Sequence, residues 1–343
     1  MVGISSGASC VIPKIVDFPR TRFENRDYVL QKVRIPGFLL VVVGNFGVDR
    51  LLFRQIFVLL LKICPMKRIL LWAVVLLGLP TVSRSLAQSN FREQIEARNR
   101  EIIAEGDLLY RCERAAWLAT DIALAHEELK NNFWGYIVSP EEDTVRVVIL
   151  DDSLRCISSL SFSGFPEGAC ILNPEVRALS PRERTLYDVR MKILDEIVRP
   201  KYGLTAVPEG FSLNFSLVPC ERGYKMYVLT GATVNGVIPF GNDYLFETDL
   251  EGQIKSWRKY HSGLLPVYCE AREVIQVIHS HLASEPLITP TDICTLRLYG
   301  DLCGVRRLVV FSTALDAWFE YDAQTNAITQ RDKSEIFETE KNE

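Results

Sequence analysis

The chain has 343 residues but only four histidines, and two of these form His279-Ser280-His281 at the end of the apolar run Val274 to Ile278. Residues i and i+2 of a strand project from the same face, so the two imidazoles can converge on one ion. Asp292 follows eleven residues after His281, in the first turn of a predicted helix. Two histidines and a carboxylate, with a fourth position left to water, are the ligand set of a catalytic zinc ion. Such an ion brings the pKa of its water to about 7 and polarises a carbonyl. The predicted ligands are therefore His279, His281 and Asp292, and the predicted cofactor is zinc. A plainer reading of the same residues exists. Thr289-x-x-Asp292 is also an ordinary capping sequence, and two histidines at a strand end are also a polar pair. The conjunction of strand, histidine pair and capped acidic helix favours the metal.

Other candidates carry less. His261 ends the predicted strand Ile254 to Tyr260 and is a candidate second-shell group or fourth ligand. If that strand pairs antiparallel with Glu273 to His279, His261 lies at the opposite end from His279, so it is expected outside the site. His126 is expected on a solvated helix face. Gly231, Gly236 and Gly241 have the wrong spacing for a phosphate loop, and no G-x-S-x-G elbow is present for a serine hydrolase.

The stretch His279-Ser-His281, seven residues, Thr289, two residues, Asp292 resembles the H-[ST]-H-P-x6-S-x-x-D signature of the JAMM (MPN+) metallo-isopeptidases. The resemblance covers roughly residues 205–330. It implies that His279, His281 and Asp292 bind Zn²⁺, that Thr289 takes the place of the serine supporting the oxyanion, and that an upstream glutamate is the general base. Leu282 stands where the family has proline, and Val228 to Gly231 lacks the carboxylate of the family's E-x-x-G strand. Glu247 and Glu221 are the substitutes. Glu247 is preferred because alternation in Tyr244 to Thr248 puts it on the face of Leu245, where half-burial would raise its pKa. The plainer reading pairs Glu247 with Lys255 or Arg258 across a turn. The implied activity is zinc-dependent hydrolysis of an amide or isopeptide bond in a peptide or protein substrate. The alternative is a secreted or envelope interaction protein whose site is structural or degenerate.

The elements that must hold these residues read as an α+β domain, with an N-terminal helical arm followed by a mostly antiparallel sheet with packed helices. Helical spacing runs over residues 88–131, with Gly106 a candidate interruption. Ser180, Pro181 and Glu183 open a second helix with a capping box. Period-two runs predict strands at 134–138, 145–150, 156–162, 211–218, 225–229, 243–248, 253–260, 273–279, 307–312 and 317–321. Thr289 caps a further helix, and the tail from Arg331 is expected to fray. The divisions are 88–202, helix-rich; 203–330, the JAMM-like part; and 331–343, a charged tail.

Ahead of this lies a different kind of segment. Lys67-Arg68, the uncharged run Ile69 to Leu79 and Ser85-Leu86-Ala87 have the anatomy of a secretory signal peptide, removed before Gln88. The expected location is secreted or periplasmic. A membrane anchor over 69–87 is the alternative, although the apolar run is short for a span of about 20 residues. On this reading Met66 is the true start, and 1–65 is mistranslated upstream sequence or a disordered extension. Residues 88–343 carry 27 basic and 39 acidic side chains, which argues against a nucleic-acid partner. Seven cysteines lie beyond Ala87 with no C-x-x-C. This is no disulfide scaffold, although an exported chain has room for one or two bridges.

Overall fold

The computed structural model describes residues 29–35, 38–44, 65–165, 169–269 and 276–338. The chain divides into two compact units, Met1–Leu86 and Ala87–Glu343. The first contains an antiparallel hairpin of β1 (Val29–Ile35) and β2 (Phe38–Gly44). Residues 1–28, 36–37 and 45–64, most of the segment expected to be mistranslated or disordered, lie outside the described residues. Helix α1 (Pro65–Ala125) begins before the division and continues past it. Among the described residues no helix is long and apolar enough to cross a membrane.

The second unit is α+β, as expected, but its strands form several sheets rather than one. Strands β3 (Gly135–Pro140), β4 (Thr144–Leu150), β5 (Cys156–Ser163) and β6 (Ala169–Arg177) make an antiparallel meander. The next sheet has the order β11-β10-β8-β7, from β7 (Phe211–Cys220), β8 (Gly223–Ala232), β10 (Tyr244–Thr248) and β11 (Ile254–Lys259). β9 (Val237–Gly241) pairs with β12 (Leu264–Tyr268). β13 (Gln276–His281) heads a sheet with β14 (Arg307–Ser312), β15 (Ala317–Asp322) and β16 (Ala327–Arg331). Strands β6, β9 and β12, which the sequence reading lacks, carry an internal proline (Pro174, Pro239 and Pro266), and this masks a strand in sequence. Pro239 and Pro266 sit opposite each other, necessarily at a non-hydrogen-bonded pair, since neither has an N–H to give.

Helix α2 (Glu127–Asn132) follows α1 after His126, whose extended backbone (φ −96°, ψ 114°) ends the long helix. Helix α3 (Pro181–Ile197) has the predicted box: the Ser180 hydroxyl accepts from the Glu183 N–H, and the Glu183 carboxylate accepts from the Ser180 N–H. Helix α4 is Pro290–Cys303 and α5 is Lys333–Glu338, so the segment expected to fray is helical as far as Glu338.

The β7/β8/β10/β11 sheet is covered on both faces, which is why Lys225 to Thr230 reads as an almost unbroken apolar run. Met226, Val228, Tyr244 and Phe246 pack against Leu186, Val189 and Ile193 of α3. Tyr227, Leu229 and Leu245 face the opposite core, with Leu109 of α1 and Ile293 and Leu296 of α4. Further along α1, Ala115, Ala119 and Ala123 form a small-residue stripe buried among Val145, Val147, Leu160 and Phe162. Gly106 does not interrupt α1. A Cβ there would lie 2.8 Å from the Ile293 side chain, so the glycine lets α1 and α4 cross closely, one residue from Asp292.

Candidate metal centre

β13 and β14 run parallel, with α4 connecting them, so His279 and His281 emerge at the carboxyl end of β13 just where the chain turns toward α4. The N-cap of α4 is Thr289, and Asp292 is its N3 residue, with Pro290 in the first turn. The Asp292 carboxylate divides its two oxygens. Oδ2 accepts from the Thr289 N–H (2.9 Å) and the Thr289 hydroxyl (2.8 Å), closing the capping box. Oδ1 is buried and has no hydrogen-bond partner. It faces the imidazoles, 3.4 Å from His261 Nε2 and 3.5 Å from His279 Nε2. His281 Nε2 lies 3.5 Å from Oδ2, so the capping oxygen also borders the centre, and the capping and ligand readings describe one side chain.

His261 belongs to this group, contrary to the sequence expectation. That expectation paired the strand before His261 with the strand before His279. In the structure β11 pairs with β10, β13 pairs with β14, and the two lie in different sheets. His261 follows β11 and points its Nε2 to within 2.9 Å of His281 Nε2, and His279 Nε2 is also 2.9 Å from His281 Nε2. The ligand atoms of His261, His279, His281 and Asp292 all lie within 4.8 Å of one another. At metal–ligand distances of about 2.0–2.1 Å, the edges of a tetrahedral site are about 3.3–3.4 Å. The Asp292 contacts match those edges, and the two nitrogen contacts of His281 are tighter. Neutral imidazole nitrogens in acceptor form repel at such separations unless a proton or a cation lies between them.

The ring tautomers suit a cation. His261 Nδ1 is 2.8 Å from Asp243 Oδ1, and His281 Nδ1 is 2.7 Å from the Leu287 carbonyl. In each ring the Nδ1–H is thus used outward, which turns Nε2 toward the centre. Asp243 Oδ2 accepts from the Thr291 hydroxyl, which lies 2.9 Å from the Thr289 hydroxyl. A buried chain of polar contacts therefore runs from His261 through Asp243, Thr291 and Thr289 to Asp292. His279 differs: its Nδ1 is buried without a partner, and at 10% its side chain is the most exposed of the four.

The electrostatics follow from crowding three imidazoles against one carboxylate in a buried space. Burial disfavours the Asp292 anion, but the surrounding histidines outweigh it and hold the carboxyl down to about 2. Desolvation pulls His279 down to about 4. Desolvation also acts on His261, where Asp243 and Asp292 oppose it and bring the ring up to about 9.

The proposed catalytic residues fare differently. Thr289 is at the centre's edge but buried, with its hydroxyl committed to Asp292. Glu247 is not among the clustered residues. Its Oε2 accepts from the Ser256 hydroxyl at 2.5 Å, and its Oε1 lies 3.9 Å from Arg258. Glu221 lies exposed in the turn between β7 and β8. Alternation did point along the right face, since Asp243, Leu245 and Glu247 share parity, but the end that meets the histidines is the Asp243 end. A different acid, Glu285, lies in the loop between His281 and Thr289, with Oε1 3.8 Å from Arg258 Nη1. Burial raises its carboxyl, with Arg258 and Arg98 opposing, and the charges of Asp243 and His261 reach it. His126 is exposed and remote in sequence from every member of the centre.

Compared with protein-family models, curated proteins and solved structures, the chain matches none. The JAMM resemblance therefore rests on the short motif alone. The four-residue group of three histidines and an aspartate is a feature of this chain's own geometry, and it can hold a metal ion.

Proposed function

We propose that this chain is a metal-binding protein that holds one divalent transition-metal ion, zinc foremost, between His261, His279, His281 and Asp292. The observation that carries this reading is Asp292 Oδ1, a fully buried anionic oxygen with no hydrogen-bond donor, facing the Nε2 atoms of His261 and His279, while His281 Nε2 lies 3.5 Å from Oδ2 of the same carboxylate. Leaving such an oxygen unpaired costs several kcal/mol, on the order of the penalty for a buried unsatisfied charge, and a cation at the centre removes that cost. Imidazole and carboxylate ligands without a thiolate suit zinc and its first-row neighbours. Four side chains close the coordination shell, as in a structural site. The test is metal analysis of the full chain purified without chelator, then stripped and reloaded. One equivalent of metal per chain supports the reading, and a metal-free protein that takes up none on reloading removes it.

The second reading is hydrolysis of peptide or isopeptide bonds at the same ion, in line with the JAMM-like spacing. It is favoured by His279, whose ring no outer hydrogen bond fixes, and by the half-buried Glu285. On this reading the centre opens on the His279 side to admit water and a carbonyl. The export signal at Lys67–Ala87 would place this chemistry in a secreted or periplasmic protein. Retained metal with no turnover of peptide and isopeptide-linked substrates would leave the binding role alone.

A further inference from the structure

We propose that His279 is the exchangeable ligand of the centre, and that a small external donor of imidazole size takes its place on the ion. The proposal rests on the metal reading but not on the hydrolytic one. It comes from how differently the four ligands are held from behind. His261 Nδ1 is 2.8 Å from Asp243 Oδ1, and His281 Nδ1 is 2.7 Å from the Leu287 carbonyl. The Asp292 carboxylate is fixed by the Thr289 N–H at 2.9 Å and the Thr289 hydroxyl at 2.8 Å. His279 has no such brace. Its Nδ1 is buried and has no hydrogen-bond partner among the described residues. The Phe240 ring lies beside it, with centroids 5.9 Å apart, and offers no lone pair.

This difference weakens one bond of the four. When His279 Nε2 binds the ion, the ring proton sits on Nδ1, where no acceptor meets it. An outer acceptor makes a metal-bound imidazole more basic and fixes its plane, and losing one lowers metal affinity about 10- to 100-fold. His279 is therefore the ligand that leaves first. It also has the way out. Its side chain is 10% exposed, against 5% for His261, 2% for His281 and 1% for Asp292. It stands on β13, an edge strand of its sheet among the described residues, between the exposed Ile278 and Ser280. The exchange transfers no proton and changes no oxidation state. The metal–Nε2 bond breaks, the ring keeps its lone pair and its Nδ1 proton, and the lone pair of the external donor makes the new bond. The place vacated is that of one imidazole ring. The class of ligand is thus a monodentate nitrogen or oxygen donor no larger than that ring.

The test uses the full chain loaded with Co²⁺, whose visible spectrum reports the donors around it. A wild-type chain that takes up no Co²⁺ overturns the metal reading itself. In the loaded wild-type protein, titration with azide should change the spectrum saturably while four-coordinate intensity is kept. No change, or a fall to the weaker five-coordinate intensity, overturns the exchange and leaves the metal reading standing. His261→Ala, His279→Ala and His281→Ala are then each loaded with and without imidazole and compared by chelator competition. Imidazole should raise the affinity of His279→Ala at least about 10-fold and return it to one equivalent of metal, because the added ring fills an accessible place. His261→Ala and His281→Ala should stay low, because their places are sealed. Equal rescue of all three, or a folded His279→Ala that imidazole does not rescue, overturns the proposal. If His279→Ala does not fold, the azide titration of the wild-type protein decides.

Discussion

His261 Nδ1 and Asp243 Oδ1 stand 2.8 Å apart, and both side chains are almost wholly buried. Asp243 also receives the Thr291 hydroxyl, so one carboxylate braces a ring carried by the β11 end and the first turn of α4. This is the outer partner that a metal-binding imidazole needs to keep its Nε2 aimed and basic. Asp243→Asn keeps the shape and removes the charge. Metal affinity should fall about 10- to 100-fold, the usual cost of losing such a partner. Competition against a chromogenic chelator measures it, and unchanged affinity would remove Asp243 from this role.

Single alanine substitutions at His261, His279, His281 and Asp292 should each reduce metal content well below one equivalent. His126→Ala should leave it intact. The informative variant is His261→Ala, because the motif spacing alone would treat His261 as dispensable. Full metal retention in His261→Ala would return the site to the three-ligand set read from sequence.

Catalysis, if the hydrolytic reading holds, separates two glutamates. Glu247 is engaged by Ser256 and flanked by Arg258, so Glu247→Gln should leave turnover and metal content unchanged. Glu285→Gln should lower turnover about 100-fold with metal retained, the scale of losing a proton acceptor. The reverse ranking would restore Glu247 to the role its strand position suggested.

Legibility in the sequence followed how local the cause was. Capping boxes are written within four residues, so Ser180/Glu183 and Thr289/Asp292 were readable with their partners. The His279/His281 pair was readable because strand alternation is local. His261 and Asp243 were not, because their place depends on which strands pair, and a β11–β13 hairpin was as reasonable locally as the two separate sheets observed. β6, β9 and β12 hid behind Pro174, Pro239 and Pro266. Gly106 was visible as a helix weakness, but its reason, the crossing with Ile293, lies in another part of the chain. Gly106→Val should accordingly lower Tm and loosen metal binding together, because it displaces the first turn of α4. Normal Tm and affinity in that variant, measured by calorimetry and chelator competition, would contradict so close a crossing.

The acid limit of the fold should be set in part by Glu183. Its carboxylate caps α3 and meets Arg177 through two contacts of 2.7 and 2.8 Å. The Arg177 hydrogen bonds, with the Ser180 contacts and against partial desolvation, hold the carboxyl down to about 2. A carboxyl depressed in the folded state binds fewer protons there than in the unfolded chain. Its stabilisation is therefore complete above the ordinary carboxylate range and is lost as pH falls toward about 2. The depression corresponds to on the order of 2 kcal/mol after discounting for the partly exposed Arg177. Helix α3 covers the face of β10 opposite Asp243, so this loss also reaches the strand that supports His261. Glu183→Gln should lower unfolding free energy by about 1–2 kcal/mol at pH 7, and the gap to wild type should close as pH falls to about 2. Urea unfolding at a series of pH values measures this. An equal gap at pH 7 and at the acid end would show that the contribution is packing rather than charge.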